Sequence, residues 1–225
     1  MKISLIIPVY NEEQAMQACL ANLALLNGEV EVIFADGGST DSTLERIGDR
    51  HKVVHCQKGR ASQMNQAAQV ATGDVLWFSH CDSLLPPEGL NEIRNAVEQG
   101  VEFGCFHIGF DFHSIWMECN AFFSNLRVRV WRVAFGDQGI FMTRRLFEEH
   151  GGFPDLPLME DLELSRQMKA KGVRLWLLPQ VIVTSARRYE GRHPLFTMGK
   201  MFLLRCMYRM GMDIHTIARL YKDVR

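Results

Sequence analysis

The amino-acid sequence predicts an α/β fold in which a mostly parallel, Rossmann-like sheet is flanked by helices. In the first hundred residues, short continuous apolar runs alternate about four times with segments whose apolar residues recur at helical spacing. Turn residues such as Asn27-Gly28 separate the two kinds of segment. This alternation is typical of strand–helix–strand units, and continuous apolar runs indicate strands that are buried on both faces of a parallel sheet.

The predicted elements of the first half alternate regularly. Strands are predicted at 3–9, 30–35, 53–56 and 75–79, and helices at 12–26, 40–47, 62–71 and 87–98. The second half has a mixed pattern. Its predicted elements are an exposed strand at 101–112, an aromatic helix at 114–135, a strand at 137–143, helices at 144–150 and 159–171, one or two strands within 173–184, and two helices broken at Gly211 within 194–221. We therefore expect a parallel part and a mixed part of the sheet.

The bulk composition argues against several classes of protein. The 225 residues suffice for one sizeable domain, with 47% hydrophobic and 23% charged residues and a formal net charge of −1. A near-neutral chain has no overall attraction for nucleic acid or for an anionic membrane. The apolar run at 3–9 is short for a secretory signal, and no run approaches the roughly 18 residues of a membrane span. The six cysteines form no Cys-x-x-Cys pair, which indicates reduced thiols and a cytoplasmic location.

Polar residues follow each of the four predicted strands of the first half. They are the segments 8–12, 36–41, 58–60 and 80–82. Because open α/β sheets bind ligands outside the carboxyl ends of their strands, we expect these segments to form one site. The chain lacks Gly-x-Gly-x-x-Gly after its first strand, which argues against a dinucleotide fold. It also lacks Gly-x-x-x-x-Gly-Lys-Ser/Thr, which argues against a P-loop.

The residue types in these segments suit a nucleoside diphosphate. The Tyr10 ring can stack on a base, and the Asp36 carboxylate can accept a hydrogen bond from a base or ribose. Arg60 lies near a predicted helix start, a position that favours phosphate. Asp82 can bind Mg²⁺ or Mn²⁺, which take one or two carboxylates together with phosphate oxygens. The alternative is that Asp36 and Asp82 are only turn residues, a common role for aspartate.

Four motifs together resemble the family 2 glycosyltransferases, which have the GT-A fold. They are Pro-Val-Tyr-Asn-Glu at 8–12, Asp-Gly-Gly-Ser-Thr-Asp-Ser-Thr at 36–43, the Asn65 helix leading to Gly73-Asp74, and Met-Glu-Asp-Leu-Glu at 159–163. The resemblance covers roughly residues 1–185. It is strongest to a small bacterial subgroup described as radical-SAM- or selenodomain-associated, or arsenosugar-biosynthesis-type. The motifs shared with that subgroup are His-x-Asp at 80–82, Gly-Asp-Gln at 136–138, Gly-Gly-Phe-Pro at 151–154 and Ser-Ala-Arg-Arg-aromatic at 185–189.

The resemblance implies a role for each matching residue on the donor side. Pro8, Tyr10 and Glu12 would line the nucleoside pocket. Asp36 would hold the base, which we expect to be uracil, and Arg60 would approach the base or the phosphates. These residues together would bind a nucleotide-diphosphate sugar as the donor substrate.

On the metal and acceptor side, the resemblance implies that Asp82 binds Mg²⁺ or Mn²⁺ and that Asp161 is the general base. A different interpretation of Asp161 is that an acid at a helix start only stabilises the helix dipole. His80 replaces the first carboxylate of the family's usual Asp-x-Asp, and a neutral imidazole is a poorer ligand for a hard cation. Arg187 and Arg188 stand where processive synthases carry Gln-x-x-Arg-Trp, which implies a non-processive enzyme with two cations available to the diphosphate.

These inferences predict an inverting glycosyltransferase that moves a sugar from a UDP-linked donor to a small-molecule or lipid hydroxyl, without a nucleic-acid partner. We expect one domain over 1–225, with a nucleotide-binding half at 1–100, an acceptor and catalytic half at 101–190, and amphipathic helices at 191–225. Two alternatives stay open. One is a nucleotidyltransferase, and the other is a nucleotide-sugar-binding protein with little or no turnover.

Two further features of the sequence allow more than one interpretation. The segments 114–135 and 195–212 combine aromatic and basic residues at helical spacing. Such helices can touch the inner face of a membrane, form a homodimer or pack on the core. In addition, His107 and His113 flank Asp111, and a metal site at these three residues is an alternative to a surface strand.

Overall fold

A computed structural model of the protein describes residues 1–189 and 194–222, apart from the side chains of Arg188 and Lys222. Its strands are β1 (Ile3–Val9), β2 (Glu31–Asp36), β3 (Lys52–His55), β4 (Val75–Phe78), β5 (Ser83–Leu84), β6 (Phe103–Phe110), β7 (Phe141–Thr143) and β8 (Trp176–Thr184). They form one sheet with the strand order β3-β2-β1-β4-β7-β6-β8-β5.

The sheet has a parallel half and a mixed half, which confirms the predicted α/β architecture. Strands β3, β2, β1 and β4 are parallel neighbours. Strand β7 is antiparallel to both β4 and β6, while β8 is parallel to β6 and antiparallel to β5. The carboxyl ends of the four parallel strands therefore lie along one edge, as the alternating sequence pattern requires.

Each predicted helix corresponds to a helix of the structure, with ends that differ by a few residues. The helices are α1 (Glu13–Leu23), α2 (Thr43–Ile47), α3 (Arg60–Val70), α4 (Gly89–Glu98), α5 (Ile115–Trp131), α6 (Arg144–His150), α7 (Glu160–Ala170), α8 (Pro194–Arg209) and α9 (Ile214–Lys222). Among the described residues, no helix combines the length and the apolar character needed to cross a bilayer.

The core lies on both faces of the sheet, and β1 contributes to both. Leu5 and Ile7 belong to the cluster that the sheet forms with α1 and α4, whereas Ile6 belongs to the cluster formed with α3, α6 and α7. Because successive side chains of a strand point to opposite faces, a strand with apolar residues on both faces packs against two helical layers at once. Strand β1 is apolar apart from Ser4, which agrees with its position between two other strands of the sheet.

A third cluster joins the C-terminal helices to α7. Leu162 on α7 shares this cluster with Leu204 on α8 and with Ile217 and Tyr221 on α9, and all four are at least nine-tenths buried. The start of α7 carries the predicted general base. The C-terminal helices therefore pack beside α7 and are not separate from the rest of the fold.

Two local predictions were wrong, and one strand was not predicted. The strand predicted as exposed at 101–112 is β6, which lies between β7 and β8 and is buried over its first four residues. The strand predicted at 137–143 is shorter, because residues 136–138 form a 3₁₀ turn and only Phe141–Thr143 pair in the sheet. The Gln138 side chain takes part in this turn, where its Oε1 accepts a hydrogen bond from Arg127 at 2.7 Å. The two-residue strand β5 was not predicted, since two residues carry no detectable alternation.

Glycine at position 104 is required by packing within the mixed half. A Cβ added at Gly104 would overlap the Phe141 ring, and it would lie 3.1 Å from the Trp176 carbonyl oxygen. We expect Gly104→Ala to lower the free energy of unfolding by about 1–3 kcal/mol, the usual cost of overpacking a core. Urea unfolding followed by circular dichroism measures this change.

Gly199→Ala is the matched control. Gly199 lies within α8, and nothing would come within 4 Å of an added Cβ. Alanine is favoured over glycine in helix interiors by up to about 1 kcal/mol, so this variant should be as stable as wild type or more stable. Equal destabilisation by the two substitutions would contradict the close packing around Gly104.

Candidate active site at the carboxyl edge of the sheet

The loops that follow β1 and β2 are joined by hydrogen bonds. The Asn11 backbone N–H donates to Ser39 Oγ at 3.0 Å, and the Thr40 N–H donates to Asn11 Oδ1 at 2.8 Å. The Glu12 N–H donates to Thr43 Oγ1 at 2.8 Å. Asn11 has φ +53°, a left-handed conformation that asparagine adopts more readily than most residues. Together these bonds hold the two predicted site segments as one unit.

Asp36 ends β2 and organises the loop after it. Its side chain is 1% exposed, and its carboxylate accepts hydrogen bonds from the backbone N–H groups of Gly38 at 3.1 Å and Ser39 at 3.0 Å. Burial opposes its charge, but hydrogen bonds from Ser39, Gly38 and His55 prevail and lower the pKa of Asp36. The ionised carboxylate therefore shapes the loop, and direct contact with a base stays a prediction.

Gln63 is a buried side chain at this edge that the sequence did not single out. Its Nε2 donates to the carbonyl oxygens of Val9 at 2.9 Å and Ala35 at 2.7 Å, while its Oε1 accepts from the Gly59 N–H at 3.3 Å. One amide thus holds the carboxyl ends of β1 and β2 and the start of α3. A glutamine on a helix is usually a surface residue, so no sequence signal marked this one.

Tyr10 and Lys58 bring the loops after β1 and β3 together. The Lys58 ammonium group lies 3.6 Å from the centroid of the Tyr10 ring, a cation–π contact. Pro8, the third predicted residue of the nucleoside pocket, is buried within β1 and is paired in register with Ala35. The structure therefore brings Tyr10 and Lys58 to the predicted site, while Pro8 lies in the strand beneath it.

Arg187 connects two carboxylates that lie far apart in the sequence. Its Nη1 and Nη2 donate to Glu12 Oε2 at 3.0 Å and Glu12 Oε1 at 3.1 Å, and Nη2 also lies 3.0 Å from Asp82 Oδ2. The hydrogen bond to Glu12 is the main cause of a raised pKa of Arg187, with a further contribution from Asp82. Glu12 and Asp82 therefore face the same cation position.

This position fits a divalent metal that is shared with a diphosphate. Mg²⁺ and Mn²⁺ prefer oxygen ligands and bind through one or two carboxylates together with phosphate oxygens, and Asp82 and Glu12 offer carboxylates that already converge on a cation. Within the described residues, no group of three or more His, Cys, Asp or Glu side chains is arranged to hold a metal. Cys81 is not a ligand candidate, because a hydrogen bond with Cys19 and burial raise the pKa of its thiol.

Asp161 lies in the first turn of α7 and faces the turn at 136–138. Its Oδ2 accepts a hydrogen bond from the Gly136 N–H at 2.8 Å, and its Oδ1 accepts one from the Leu162 N–H at 2.7 Å. His80 also lies against this turn, because a Cβ added at Gly136 would be 2.7 Å from His80 Nε2. A small cleft lined by His80, Gly136, Glu160 and Asp161 opens here. His80 is thus beside the predicted base, and a metal-binding role for it stays a prediction.

Arg60 forms an ion pair with Glu160 beneath Asp161. Arg60 Nε lies 2.9 Å from Glu160 Oε1, and the Glu160 side chain is 3% exposed. Burial opposes the charge of Arg60, but Glu160 and Asp161 outweigh it and raise its pKa. Burial raises the pKa of Glu160, while Arg60 opposes that shift. Arg60 therefore begins α3 as predicted, but its guanidinium group contacts a carboxylate of the catalytic half.

Two other predictions concern residues outside this arrangement. The side chain of Arg188 lies outside the described residues. The alternative metal site is not assembled: His107 Nδ1 lies 2.7 Å from the Leu178 carbonyl oxygen and its Nε2 lies 3.0 Å from Arg129 Nη2. Asp111 instead accepts a hydrogen bond from the Ala186 N–H at 2.7 Å.

A larger concavity, of about 1220 Å³, lies at the opposite edge of the sheet. Its lining includes Lys2, Glu31, Arg50 and Arg94. Large pockets are often binding sites, but ligands of open α/β sheets bind at the carboxyl ends of the strands. Lys2 and Glu31 form an ion pair across it, and Arg94 donates to the Glu29 carbonyl oxygen. We therefore place the candidate site at the carboxyl edge, where the carboxylates and Tyr10 converge.

The family model for glycosyl transferase family 2 matches residues 4–151. This segment is more than half of the chain and contains β2 to β7 and all of β1 except Ile3. The chain belongs to glycosyl transferase family 2. The predicted family membership and the predicted GT-A fold are therefore confirmed. The strands and helices described above are the elements of the GT-A fold in this chain. Helices α3 and α7 flank the carboxyl edge of the sheet.

This family 2 protein matches its curated relatives over only part of their length. A poly(ribitol-phosphate) beta-glucosyltransferase of Bacillus spizizenii is 32% identical over 102 residues, which are 40% of this chain and 16% of that protein. The mannosyltransferase PcManGT of Pyrobaculum calidifontis, solved with GDP-Man and Mn²⁺, superposes with a TM-score of 0.69 at 20% identity, over 98% of this chain and 69% of its own. Residues 1–349 of S. aureus TarS, solved with UDP-GlcNAc, superpose with a TM-score of 0.67 at 19% identity. The superposition covers 100% of this chain and 71% of the TarS chain.

Substitution of Arg60 tests how much its ion pair with the buried Glu160 stabilises this family 2 protein. Arg60→Met leaves the Glu160 carboxylate buried without its cation, a loss that usually costs about 3–5 kcal/mol. Burial then raises the pKa of Glu160 without opposition from Arg60. A carboxyl group with a raised pKa in the folded state adds stability at low pH, and this stability is lost as the pH rises. The loss of unfolding free energy in Arg60→Met should therefore become smaller when the pH is lowered from about 7.5 to about 5.5. Urea unfolding at both pH values measures it.

Arg166→Met provides the control for this pH effect. Arg166 forms an exposed ion pair with Glu163 on α7 at 3.3 Å. Exposed pairs contribute about 0–1 kcal/mol, so this variant should lose little stability and show little change with pH. A deficit of Arg60→Met that is equally small, or that grows as the pH falls, would contradict a buried, stabilising contact between Arg60 and Glu160.

Proposed function

We propose that the chain is an inverting, non-processive glycosyltransferase that transfers a sugar from a UDP-linked donor to an acceptor hydroxyl. The observation that carries this proposal is the convergence of Glu12 and Asp82 on one cation position at the sheet edge that also holds Asp161. A hydroxyl acceptor is a weak nucleophile, and a diphosphate is a charged leaving group. The reaction therefore needs a base at one end and positive charge at the other.

The donor binds along the loops after β1, β2 and β3 in this proposal. Tyr10 stacks on the uracil ring, while Pro8 and Glu12 shape the nucleoside pocket. Asp36 acts through the loop that it orders, and it offers its carboxylate to the base. The UDP-GlcNAc bound to TarS supports this choice of donor, and the GDP-Man bound to PcManGT marks guanine as the competing base.

Asp82 holds a Mg²⁺ or Mn²⁺ ion in the proposed enzyme, with His80 as an additional candidate ligand. When bound, the ion supplies positive charge to the diphosphate as the bond to the sugar breaks. With a metal held by Asp82 and Glu12, Arg187 and Arg188 would be available to the phosphate oxygens. The Mn²⁺ in the PcManGT complex supports a divalent cation in this fold.

Asp161 accepts the proton of the acceptor hydroxyl as that oxygen attacks the anomeric carbon. The Gly136 and Leu162 N–H groups fix the orientation of its carboxylate, and the positive charge of Arg60 beneath Glu160 balances the local cluster of acids. Attack from the face opposite the departing diphosphate inverts the anomeric centre. One carboxylate suffices, because the diphosphate leaves without protonation, whereas glycoside hydrolases use two.

Several narrower assignments belong to the same proposal. The motifs at 80–82, 136–138 and 185–189 favour the bacterial radical-SAM-, selenodomain- or arsenosugar-associated subgroup. We also propose one domain over 1–225, with halves at 1–100 and 101–190 and C-terminal helices at 191–225. The acceptor is a small molecule or a lipid, nucleic acid is not a partner, and the enzyme is cytoplasmic. A homodimer and peripheral contact with the inner membrane face are alternative uses of the exposed sides of α5 and α8.

A second candidate function is nucleotide-sugar binding with little or no turnover. The observation that favours it is His80, which stands in place of a carboxylate in the metal motif. Retention of Asp82 and Asp161 favours the transferase. Release of UDP from UDP-sugars, by transfer or by slow hydrolysis, separates the two functions.

Asp161→Asn tests the proposed base. The amide keeps the size of the side chain and can still accept the Gly136 hydrogen bond, but it cannot take a proton. We expect the rate of UDP release to fall by about 10²–10⁴-fold, the usual contribution of a general base, with unchanged calorimetric binding of UDP. Glu163→Gln on the same helix is the control and should keep its activity. Full turnover by Asp161→Asn would remove Asp161 from the mechanism.

Arg187→Gln tests whether Arg187 occupies the metal position. Without it, Glu12 and Asp82 have no cation between them, so Mn²⁺ should bind the nucleotide-free protein about tenfold more tightly, as expected from the loss of one nearby positive charge. Electron paramagnetic resonance of free Mn²⁺ measures this affinity without any turnover. Arg174→Gln, which replaces an exposed arginine, is the control and should leave the Mn²⁺ affinity unchanged. Equal affinity of wild type and Arg187→Gln would mean that the ion pair does not compete with metal.

A further inference from the structure

Helix α5 is apolar on the side that faces solvent. Its buried side includes Met117 and Val128, each 1% exposed. The opposite side carries apolar residues at positions i, i+4, i+7, i+8, i+11 and i+15, namely Ile115, Cys119, Phe122, Phe123, Leu126 and Val130. Phe122 and Phe123 are each 62% exposed. A helix that packs only on a core has polar residues on its solvent side, so α5 departs from that pattern.

Helix α8 repeats the same spacing. Thr197 and Leu204 are its buried residues, and the opposite stripe consists of Leu195, Gly199, Phe202, Leu203, Cys206 and, just past the helix end, Met210. Phe202 is 64% exposed and Leu203 is 54% exposed. Helices α5 and α8 contact each other. The two stripes form what we call the outer face, and adjacent exposed apolar helices of this kind mark interaction sites.

The charges near the outer face are predominantly positive. Helix α8 contains Lys200 and Arg209 and no acidic residue, while its third basic residue, Arg205, packs over the Phe135 ring. Helix α5 ends near the exposed Arg129 and Arg132, with Glu118 as its one acidic residue. The chain as a whole has a formal net charge of −1, so this positive charge is local. Aromatic and aliphatic residues flanked by Lys and Arg are typical of helices that lie in the interface of an anionic bilayer.

We propose that the outer face binds the surface of a lipid bilayer that contains anionic headgroups. A second copy of the chain fits this surface less well, because a two-fold contact would bring the same basic residues of both copies together. Anionic headgroups would instead pair with these residues while the phenylalanines enter the acyl boundary. This contact does not depend on the proposed transfer reaction.

The outer face adjoins the catalytic half of the chain. Leu204, on the buried side of α8, shares a cluster with Leu162, which follows Asp161 directly. A protein bound through α8 would therefore hold the start of α7 near the bilayer. Membrane binding would then favour an acceptor whose hydroxyl is presented at the lipid surface.

Vesicle flotation tests the proposal on the full chain. Wild type should float with vesicles of phosphatidylcholine and phosphatidylglycerol, and should bind much less to phosphatidylcholine alone. Phe122→Ser and Phe202→Ser should each weaken binding by about tenfold, since each removes a phenyl group from the acyl boundary. Leu25→Ser is the matched control, because Leu25 is 61% exposed but lies after α1, and it should bind like wild type. Arg209→Gln should weaken binding to the anionic vesicles only, whereas Arg50→Gln should not.

Two results would overturn the proposal. The first is an absence of flotation of wild type with either kind of vesicle. The second is a dimer in light scattering that Phe122→Ser and Phe202→Ser dissociate, without flotation, which would assign the outer face to a second copy. Circular dichroism of each variant controls for folding, and calorimetric UDP binding is measured in a separate experiment. Because vesicle binding and UDP binding are measured separately, failure of the membrane contact and failure of the proposed function are distinguishable.

Discussion

The parallel pairing of β1 with β2 and β4 is the constraint on which the site depends. Val9 pairs with Asp36 in register, and Ile6 pairs with Phe78, so β1, β2 and β4 end at the same edge. Asp36 ends β2, and the loops after β1 and β4 carry Glu12 and Asp82, so three carboxylates from distant parts of the sequence reach this edge. Gln63 then fixes the carboxyl ends of β1 and β2 with one amide. If the strands were paired in another order, none of the proposed donor contacts could form.

Two arginines then set the electrostatics of this edge in different ways. Arg60 is paired with the buried Glu160, so its charge contributes mainly to structure beside Asp161. Arg187 is 48% exposed and is shared between Glu12 and Asp82. A half-exposed pair is weak and can exchange partners, whereas a buried pair is costly to break. The Arg60–Glu160 pair is therefore the more rigid of the two, and in the proposed reaction the Arg187 pairs are the ones that would give way to a metal and phosphate.

The sequence predicted the parallel strands and their common edge because apolar runs and turn residues are local signals. It also indicated the family through motifs that include Tyr10, Asp36 and Asp161. It did not predict the Arg187 contact with Glu12, because no local pattern relates residues so distant in the sequence. Gln63 and Glu160 were missed as structural residues for the same reason: their partners are set by packing. Residues 137 and 138 were predicted as part of a strand because the apolar residues of Phe141–Thr143 follow them closely. Hydrogen bonds to Gln138 and Asp161 instead determine the form of the turn at 136–138.

The central claim is that this edge binds a nucleotide through a divalent metal. Calorimetric titration of the full chain with UDP, UDP-glucose and GDP, each with Mn²⁺, Mg²⁺ or EDTA, tests it most directly. We expect UDP to bind with a Kd on the order of micromolar in the presence of metal, and much more weakly in EDTA. Binding that does not depend on metal would move the diphosphate contact from Asp82 to the arginines. Absence of binding by every nucleotide would contradict the donor site and with it the proposed reaction.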